Sequence, residues 1–426
     1  MKRREFIQSS VALSGIGAMT MGKFNSRAAP PLRNPHTPEN TDGKSARIGA
    51  DAPAPISEGE REQRREKARA QMRHLAFAAM LIEPGANMDY FAGIQWGRSE
   101  RLFAFLLPVT GRPVVIAPGF EQQRAEDQVK GRFDLRVWQE DQNPEVLVAD
   151  TLKDLGLASG RLAVDPSART FVLTELATAR PGMQFGTAAL VVNQSRGVKT
   201  QHEIEIMRFA NETTLQAYRE AFKSLRAGMT QAELAGRVSA EMKKLGYDGG
   251  ALVLFGESSA YPHGLPHPRE LQENQVVLVD GGLNVHGYQS DMTRTVVFGT
   301  PSAEMQKVFD VVHEAQAKAI AFAGPGKECG QVDAVARKVI TDAGYGPDYR
   351  TFTHRLGHGI GLEGHEWPYL VRGSRIVLEP GMTFSDEPGI YQYGKFGIRL
   401  EDIMAITENG AEMMTPTQSS LKAEAI

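Results

Sequence analysis

At 426 residues the chain is longer than one hydrophobic core comfortably serves, so two domains are expected. Hydrophobic and charged contents of 41% and 23% are ordinary for a soluble globular protein, and a formal charge of -3 gives no electrostatic reason to bind nucleic acid. The single cysteine, Cys329, excludes an intrachain disulfide; within Gly326-Lys327-Glu328-Cys329-Gly330 it reads as a small residue near a helix start rather than a nucleophile.

In chain order, Lys2-Arg3-Arg4 precedes an uncharged, mildly apolar stretch over 9–21 that is too short and too rich in Gly and Ser to span a membrane. Two adjacent arginines before a weak apolar region resemble a twin-arginine export signal over 1–29, with cleavage near Arg27-Ala28-Ala29, and predict a periplasmic protein with no stable membrane insertion. Residues 30–58, rich in Pro, Ala, Asn and Asp without apolar periodicity, read as a linker. The charged run 58–73 predicts a helix leading into the apolar strand 76–82. Strands 102–107 and 114–116 flank the turn Thr110-Gly111-Arg112 as a hairpin, and helices near 144–155 and 170–179 bracket a strand at 161–165. Residues 59–195 thus form an α/β domain, and no catalytic cluster is visible in it.

The second domain, 199–420, opens with a helix over 203–225. Thr230 with Glu233 three residues later predicts a capping box starting a helix that runs to Lys244. Strands follow at 252–255, 276–279 and 293–298, then helices near 304–323 and 331–343, then strands and turns from His354 onward. Two helices and strands, followed by two helices and strands, is an internal pseudo-repeat of about 100 residues within an α/β (α+β) chain.

Chemistry concentrates in this second half. Asp280 ends the apolar run Val276-Val277-Leu278-Val279, where a carboxylate is costly to bury without a cation or hydrogen-bond partners. Asp291 opens a second strand eleven residues later, and an antiparallel return would aim both carboxylates at one pocket. His354, His358 and His365 crowd one glycine-rich segment; glycine lets backbone pass close to an ion, and imidazole is the commonest nitrogen ligand for transition metals. Glu387 and Glu401 each follow apolar, strand-like residues across a turn.

Asp280, Asp291, His358, Glu387 and Glu401, in this order and within the DGG, DMTRT, HGIGLEGHE, DEPGIY and RLED segments, resemble the metal-binding signature of the pita-bread metallopeptidases. That family includes methionine aminopeptidase, aminopeptidase P and prolidase. The likeness covers roughly residues 199–415, with a vaguer likeness of 60–195 to the creatinase-like N-terminal domain of the aminopeptidase P and prolidase branch. It implies a creatinase-like domain followed by a pita-bread domain. It also implies two divalent ions: Asp280 on one, His358 and Glu387 on the other, Asp291 and Glu401 bridging. Four carboxylates and one imidazole suit Mn²⁺, with Co²⁺ or Zn²⁺ as alternatives. Glu387 would accept a proton from the attacking water.

The same resemblance implies that His263 and His365 contact the scissile amide and its tetrahedral intermediate, where losing a donor typically costs about 10²–10³ in rate. His354 and Arg399 match positions that either bind substrate in the proline-specific branch or orient a ligating group. His267, between two prolines, reads as a loop residue. Trp367 beside His365 is expected to narrow the pocket or to stack on a proline ring. A metallo-exopeptidase acting before proline follows as the expected function, either an Xaa-Pro aminopeptidase or an Xaa-Pro dipeptidase. A homodimer acting on small peptides is implied with it. The rivals are a non-peptide hydrolase or a dimethylsulfoniopropionate lyase-like enzyme on the same fold, and a binding protein that has lost catalysis.

Overall fold

The computed structural model describes residues 52–426. The export signal read over 1–29, its cleavage point and most of the linker lie outside the described residues.

The first domain begins with α1 (Glu58–His74), whose N-terminus is closed by a capping box between Ser57 and Glu60. Its six-stranded sheet is built from β1 (Phe77–Ile82), β2 (Ala104–Pro108), β3 (Val114–Pro118), β4 (Asp134–Trp138), β5 (Arg161–Val164) and β6 (Phe185–Thr187). The strand order is β4-β3-β2-β1-β5-β6, with β1 antiparallel to β2 and parallel to β5. The helices α2 (Ala86–Ala92), α3 (Gln122–Val129), α4 (Pro144–Asp154), α5 (Thr170–Ala179) and α6 (Ala189–Arg196) complete it. Strand β1 is apolar throughout because both of its faces are covered: Met80 and Ile82 join one buried cluster, Ala79 and Leu81 another.

The second domain realises the pseudo-repeat. Helices α7 (Gln201–Phe222) and α8 (Gln231–Lys244) pack on the antiparallel strands β7 (Gly249–Phe255), β8 (Gln275–Val285) and β10 (Met292–Phe298), with the short β9 (Tyr288–Gln289) returning on β8. The expected capping box joins Thr230 and Glu233. Helices α9 (Ala303–Phe322) and α10 (Cys329–Ile340) cover a five-stranded sheet ordered β12-β11-β13-β16-β17: Glu366–Leu370, Gly357–Gly359, Thr383–Asp386, Asp402–Thr407 and Gly410–Met413. A ribbon of β14 (Gly389–Gln392) and β15 (Phe396–Arg399) lies beside it. Cys329 is the first residue of α10, and burial pushes its thiol up to about 12, which keeps it from acting as a nucleophile.

Two features differ from the sequence reading. Residues 52–57, assigned to the linker, are held against the second domain: Ile56 is in its core, His286 Nε2 meets the Pro53 carbonyl at 3.1 Å and His202 Nε2 the Ala54 carbonyl at 2.9 Å. The short elements α2, α3, α6, β4 and β6 also escaped that reading. Among the described residues no helix is long and apolar enough to cross a membrane.

What positions the site is the seam between the two halves of the repeat. Thr293 pairs with Asp280 across β10 and β8, and on its other side exchanges backbone hydrogen bonds with Glu401 at 3.3 and 3.2 Å. Directly opposed residues project to the same face, so Asp280, Thr293 and Glu401 form one row across the seam. Behind it, Arg294 is buried and reaches Asp402 at 2.5 Å and the Glu401 carbonyl at 2.8 Å, which fixes the backbone of the last acid.

Candidate metal centre

The five expected ligands converge. His358, Glu387 and Glu401 present ligand atoms within 4.8 Å of one another, and so do Asp280, Asp291 and Glu401. Glu401 belongs to both sets, and His358 Nε2 lies 3.7 Å from Asp291 Oδ2, 3.4 Å from Glu387 Oε1 and 3.9 Å from Glu401 Oε1. They line a pocket of about 310 Å³ together with Pro262, His263, His354, Arg355, His365 and Arg399. The five ligands, His263, His354, His365 and Arg399 therefore face one cavity. His267 sits apart on a loop, as expected.

The chemistry of this donor set fits cations. Burial, reinforced by Glu401, holds the Asp291 and Glu387 carboxyls well above the usual range, and burial with Asp280 nearby pushes Glu401 up to about 8. Four carboxylates share the cavity with two guanidiniums, Arg399 paired with Asp280 and Arg355 on the wall, so divalent ions relieve the remaining repulsion that protons would otherwise have to neutralise. Burial and the neighbouring His365 push His358 down to about 3, so its imidazole is neutral. Its Nδ1 faces the Gly359 carbonyl at 3.1 Å and therefore carries the proton. The Nε2 lone pair is left facing three carboxylate oxygens, an arrangement that a cation between them, or a proton on one of the acids, makes favourable.

Secondary contacts fix the ligands. Thr293 Oγ1 donates to Glu401 Oε2 at 2.7 Å. Ser385 Oγ accepts from the His358 amide at 3.0 Å and donates to Glu387 Oε1 at 3.4 Å. Arg399 is fully engaged: Nη2 donates to Asp280 Oδ2 at 2.6 Å, Nη1 to Tyr391 Oη at 2.8 Å, and Nε to Thr293 Oγ1 at 3.0 Å. Of the two roles open to Arg399, these contacts serve the orienting one. His354 is pushed down to about 3 by burial and by Arg399; Nδ1 donates to the Arg355 carbonyl at 2.8 Å, and Nε2 accepts from Tyr391 Oη at 2.7 Å. His263 and His365 are the exposed members of the wall, with rings open to a ligand.

Sequence reasoning passed over Thr293 and Tyr391, inside the quoted segments, and Ser385, just before DEPGIY, because none carries a charge to mark it. The expectation for Trp367 is corrected. It lines a different groove, of about 560 Å³, between the two domains and packs beside Gly197, so it neither narrows the metal pocket nor offers a stacking face there.

Residues 205–408 match metallopeptidase family M24, and residues 64–198 match the creatinase/prolidase N-terminal domain. An uncharacterized peptidase of Staphylococcus haemolyticus is 36% identical over 361 residues, covering 82% of this chain and 98% of that protein. The chain belongs to metallopeptidase family M24. Solved structures similar to this M24 chain include a prolidase from Thermococcus sibiricus, 31% identical with a TM-score of 0.78 over 85% of this chain and 98% of that one. A dipeptidase from Mycobacterium ulcerans is 33% identical, with a TM-score of 0.81 over 87% and 99%. An X-Pro aminopeptidase from Thermotoga maritima is 30% identical, with a TM-score of 0.70 over 81% and 97%. M24 peptidases are dinuclear, metal-dependent hydrolases, and the clustered acids and His358 are the groups of this M24 chain that can hold such ions.

Proposed function

We propose that this peptidase cleaves the bond between an N-terminal residue and proline, using two Mn²⁺ ions. The convergence of Asp280, Asp291, His358, Glu387 and Glu401 in one small pocket carries this reading. At about 310 Å³ the cavity is at the small end for ligand sites and admits a chain end rather than a folded segment. Similarity to a prolidase and an X-Pro aminopeptidase supports proline as the second residue.

Asp280 would hold one ion and His358 and Glu387 the other, with Asp291 and Glu401 available to both. Two such ions supply Lewis acidity and lower the pKa of water from about 15.7 toward about 7. The chain's own groups do the rest. Glu387 receives the attacking water's proton and returns it to the leaving nitrogen. His263 and His365 donate hydrogen bonds to the scissile carbonyl as charge develops on its oxygen. Partial burial and the nearby Arg355 hold the His365 pKa low, so it acts as a neutral donor. The chain of contacts His354–Tyr391–Arg399–Asp280 keeps a wall of the pocket rigid while substrate binds. The Arg3-Arg4 pair and the stretch after it support export to the periplasm, the family resemblance supports a homodimer, and the charge of -3 gives nucleic acid no purchase.

Purified protein supplied with Mn²⁺ is expected to hydrolyse Xaa-Pro dipeptides or Xaa-Pro-Yaa tripeptides faster than matched Xaa-Ala peptides. Cleavage of dipeptides alone identifies an Xaa-Pro dipeptidase, and cleavage of the longer peptides an aminopeptidase. Bound metal with neither peptide cleaved defeats the proposal.

A further inference from the structure

Glu366 follows His365 directly, yet its side chain leaves the pocket and enters the joint between the domains. There Arg196 and Lys199, which flank the interdomain connection, close on it. Lys199 Nζ lies 2.7 Å from Glu366 Oε1, and Arg196 Nη2 donates to Glu366 Oε2. All three are buried, with side chains 2–7% exposed. The connection is itself held at both ends. The Lys199 amide donates to the Gly381 carbonyl at 2.8 Å, while Arg196 Nη1 donates to Asn87 Oδ1 at 2.7 Å, and Asn87 reaches Asp165 of the first domain at 3.0 Å.

The Glu366 carboxylate accounts for Gly361, and the Glu366 backbone, paired with Gly359 across β11 and β12, accounts for Gly359. A Cβ on Gly361 would stand 2.7 Å from Glu366 Oε1, and one on Gly359 would stand 2.6 Å from the Glu366 carbonyl. The segment between His358 and His365 thus passes close to Glu366 at Gly359 and Gly361. His354 and His358 each fix Nδ1 on a carbonyl, whereas the His365 ring rests against the His358 ring, with centroids 3.8 Å apart. The place of His365 therefore comes mainly from its backbone, and that backbone is anchored at Glu366.

We infer that Glu366 is a positioning residue: it fastens the backbone of His365 to the Arg196–Lys199 connection, so the first domain sets where this histidine meets substrate. The inference rests on the reading that His365 acts on the scissile carbonyl. Breaking the anchor lets His365 drift while the metal ligands stay in place.

A double-mutant cycle on the Mn²⁺-loaded full chain, followed by Xaa-Pro hydrolysis and by Mn²⁺ titration, tests this. Glu366→Gln is expected to lower kcat roughly 10–100-fold, the range for losing an outer-shell partner. KM and Mn²⁺ affinity should each stay within about threefold, and in a His365→Ala background Glu366→Gln should cost less than about threefold, because two residues acting as a unit are not additive. Equal losses in both backgrounds, or a kcat for Glu366→Gln within about twofold of the parent, overturn the proposal. If His365→Ala leaves kcat unchanged, the substrate role of His365 falls, and this proposal with it. Because Glu366→Gln leaves the buried Lys199 without a carboxylate, while Arg196 keeps Glu363 at 2.8 Å, the cycle is repeated with Lys199→Met/Glu366→Gln, where an ion pair leaves together. The same non-additivity is expected there, and additivity overturns the proposal.

Discussion

Glu387→Gln is expected to lower kcat on Xaa-Pro peptides by roughly 10²–10⁴-fold, the usual contribution of a positioned general base, while KM changes little. The glutamine keeps the shape and one oxygen but cannot take a proton. Glu401→Gln acts on a different link. Because Glu401 stands in both ligand sets and is aligned by Thr293, its loss disturbs both ion positions at once. The double substitution should then be hardly worse than the more damaging single one, since groups that work as one unit do not add. Steady-state kinetics at saturating Mn²⁺ read both effects. Activity of Glu387→Gln within threefold of the parent removes the general-base role, and strictly multiplicative losses separate Glu401 from the same machinery.

The second large effect is on stability. In metal-free protein, Glu401 is pushed up to about 8 and Asp291 and Glu387 are also held high, so the folded state binds protons that the unfolded chain has released above about 4.5. With more protons bound in the folded than in the unfolded state, unfolding free energy falls as pH rises across this range. His358 and His354, each pushed down to about 3, act oppositely, but only below their ordinary value of 6.5. Between pH 6.5 and about 8 the carboxyls set the direction, and His202, whose pKa its hydrogen bond to Glu60 raises, acts the same way. Metal-free protein should lose stability over that window, on the order of 2 kcal/mol from Glu401 alone. Metal-loaded protein should lose less, because ions take the place of the carboxyl protons. Thermal unfolding of both forms at pH 6.5 and 8 measures this. A metal-free midpoint that rises with pH refutes it.

Much of this was legible because the chemistry demands charged residues in glycine-rich company, and such residues are conspicuous in one dimension. Asp280 and Asp291 could be placed on antiparallel strands from the apolar run and the short return between them. Their junction with Glu401 could not, since the bridge from Thr293 to Glu401 joins positions 108 residues apart. Tyr391 was silent because a hydroxyl in an apolar ribbon looks like any core tyrosine, and only its contacts with His354 and Arg399 reveal its place. Trp367 misled for a related reason. Its nearness to His365 in sequence suggested a shared pocket, but its ring packs beside Gly197 at the domain joint. The burial of Ile56 depends on distant partners and has no local periodicity to announce it. Helix α3 buries only Ala125 and Val129, too little to make an apolar stripe.

The most direct measurement is anomalous X-ray diffraction from crystals soaked in Mn²⁺, collected at the manganese edge. Two peaks are expected about 3.5–4 Å apart, the spacing of paired catalytic ions. One should lie against Asp280, the other against His358 and Glu387, with Asp291 and Glu401 touching both. A single peak, or ions bound elsewhere while these five side chains stay bare, contradicts the assignment of a dinuclear centre to this pocket.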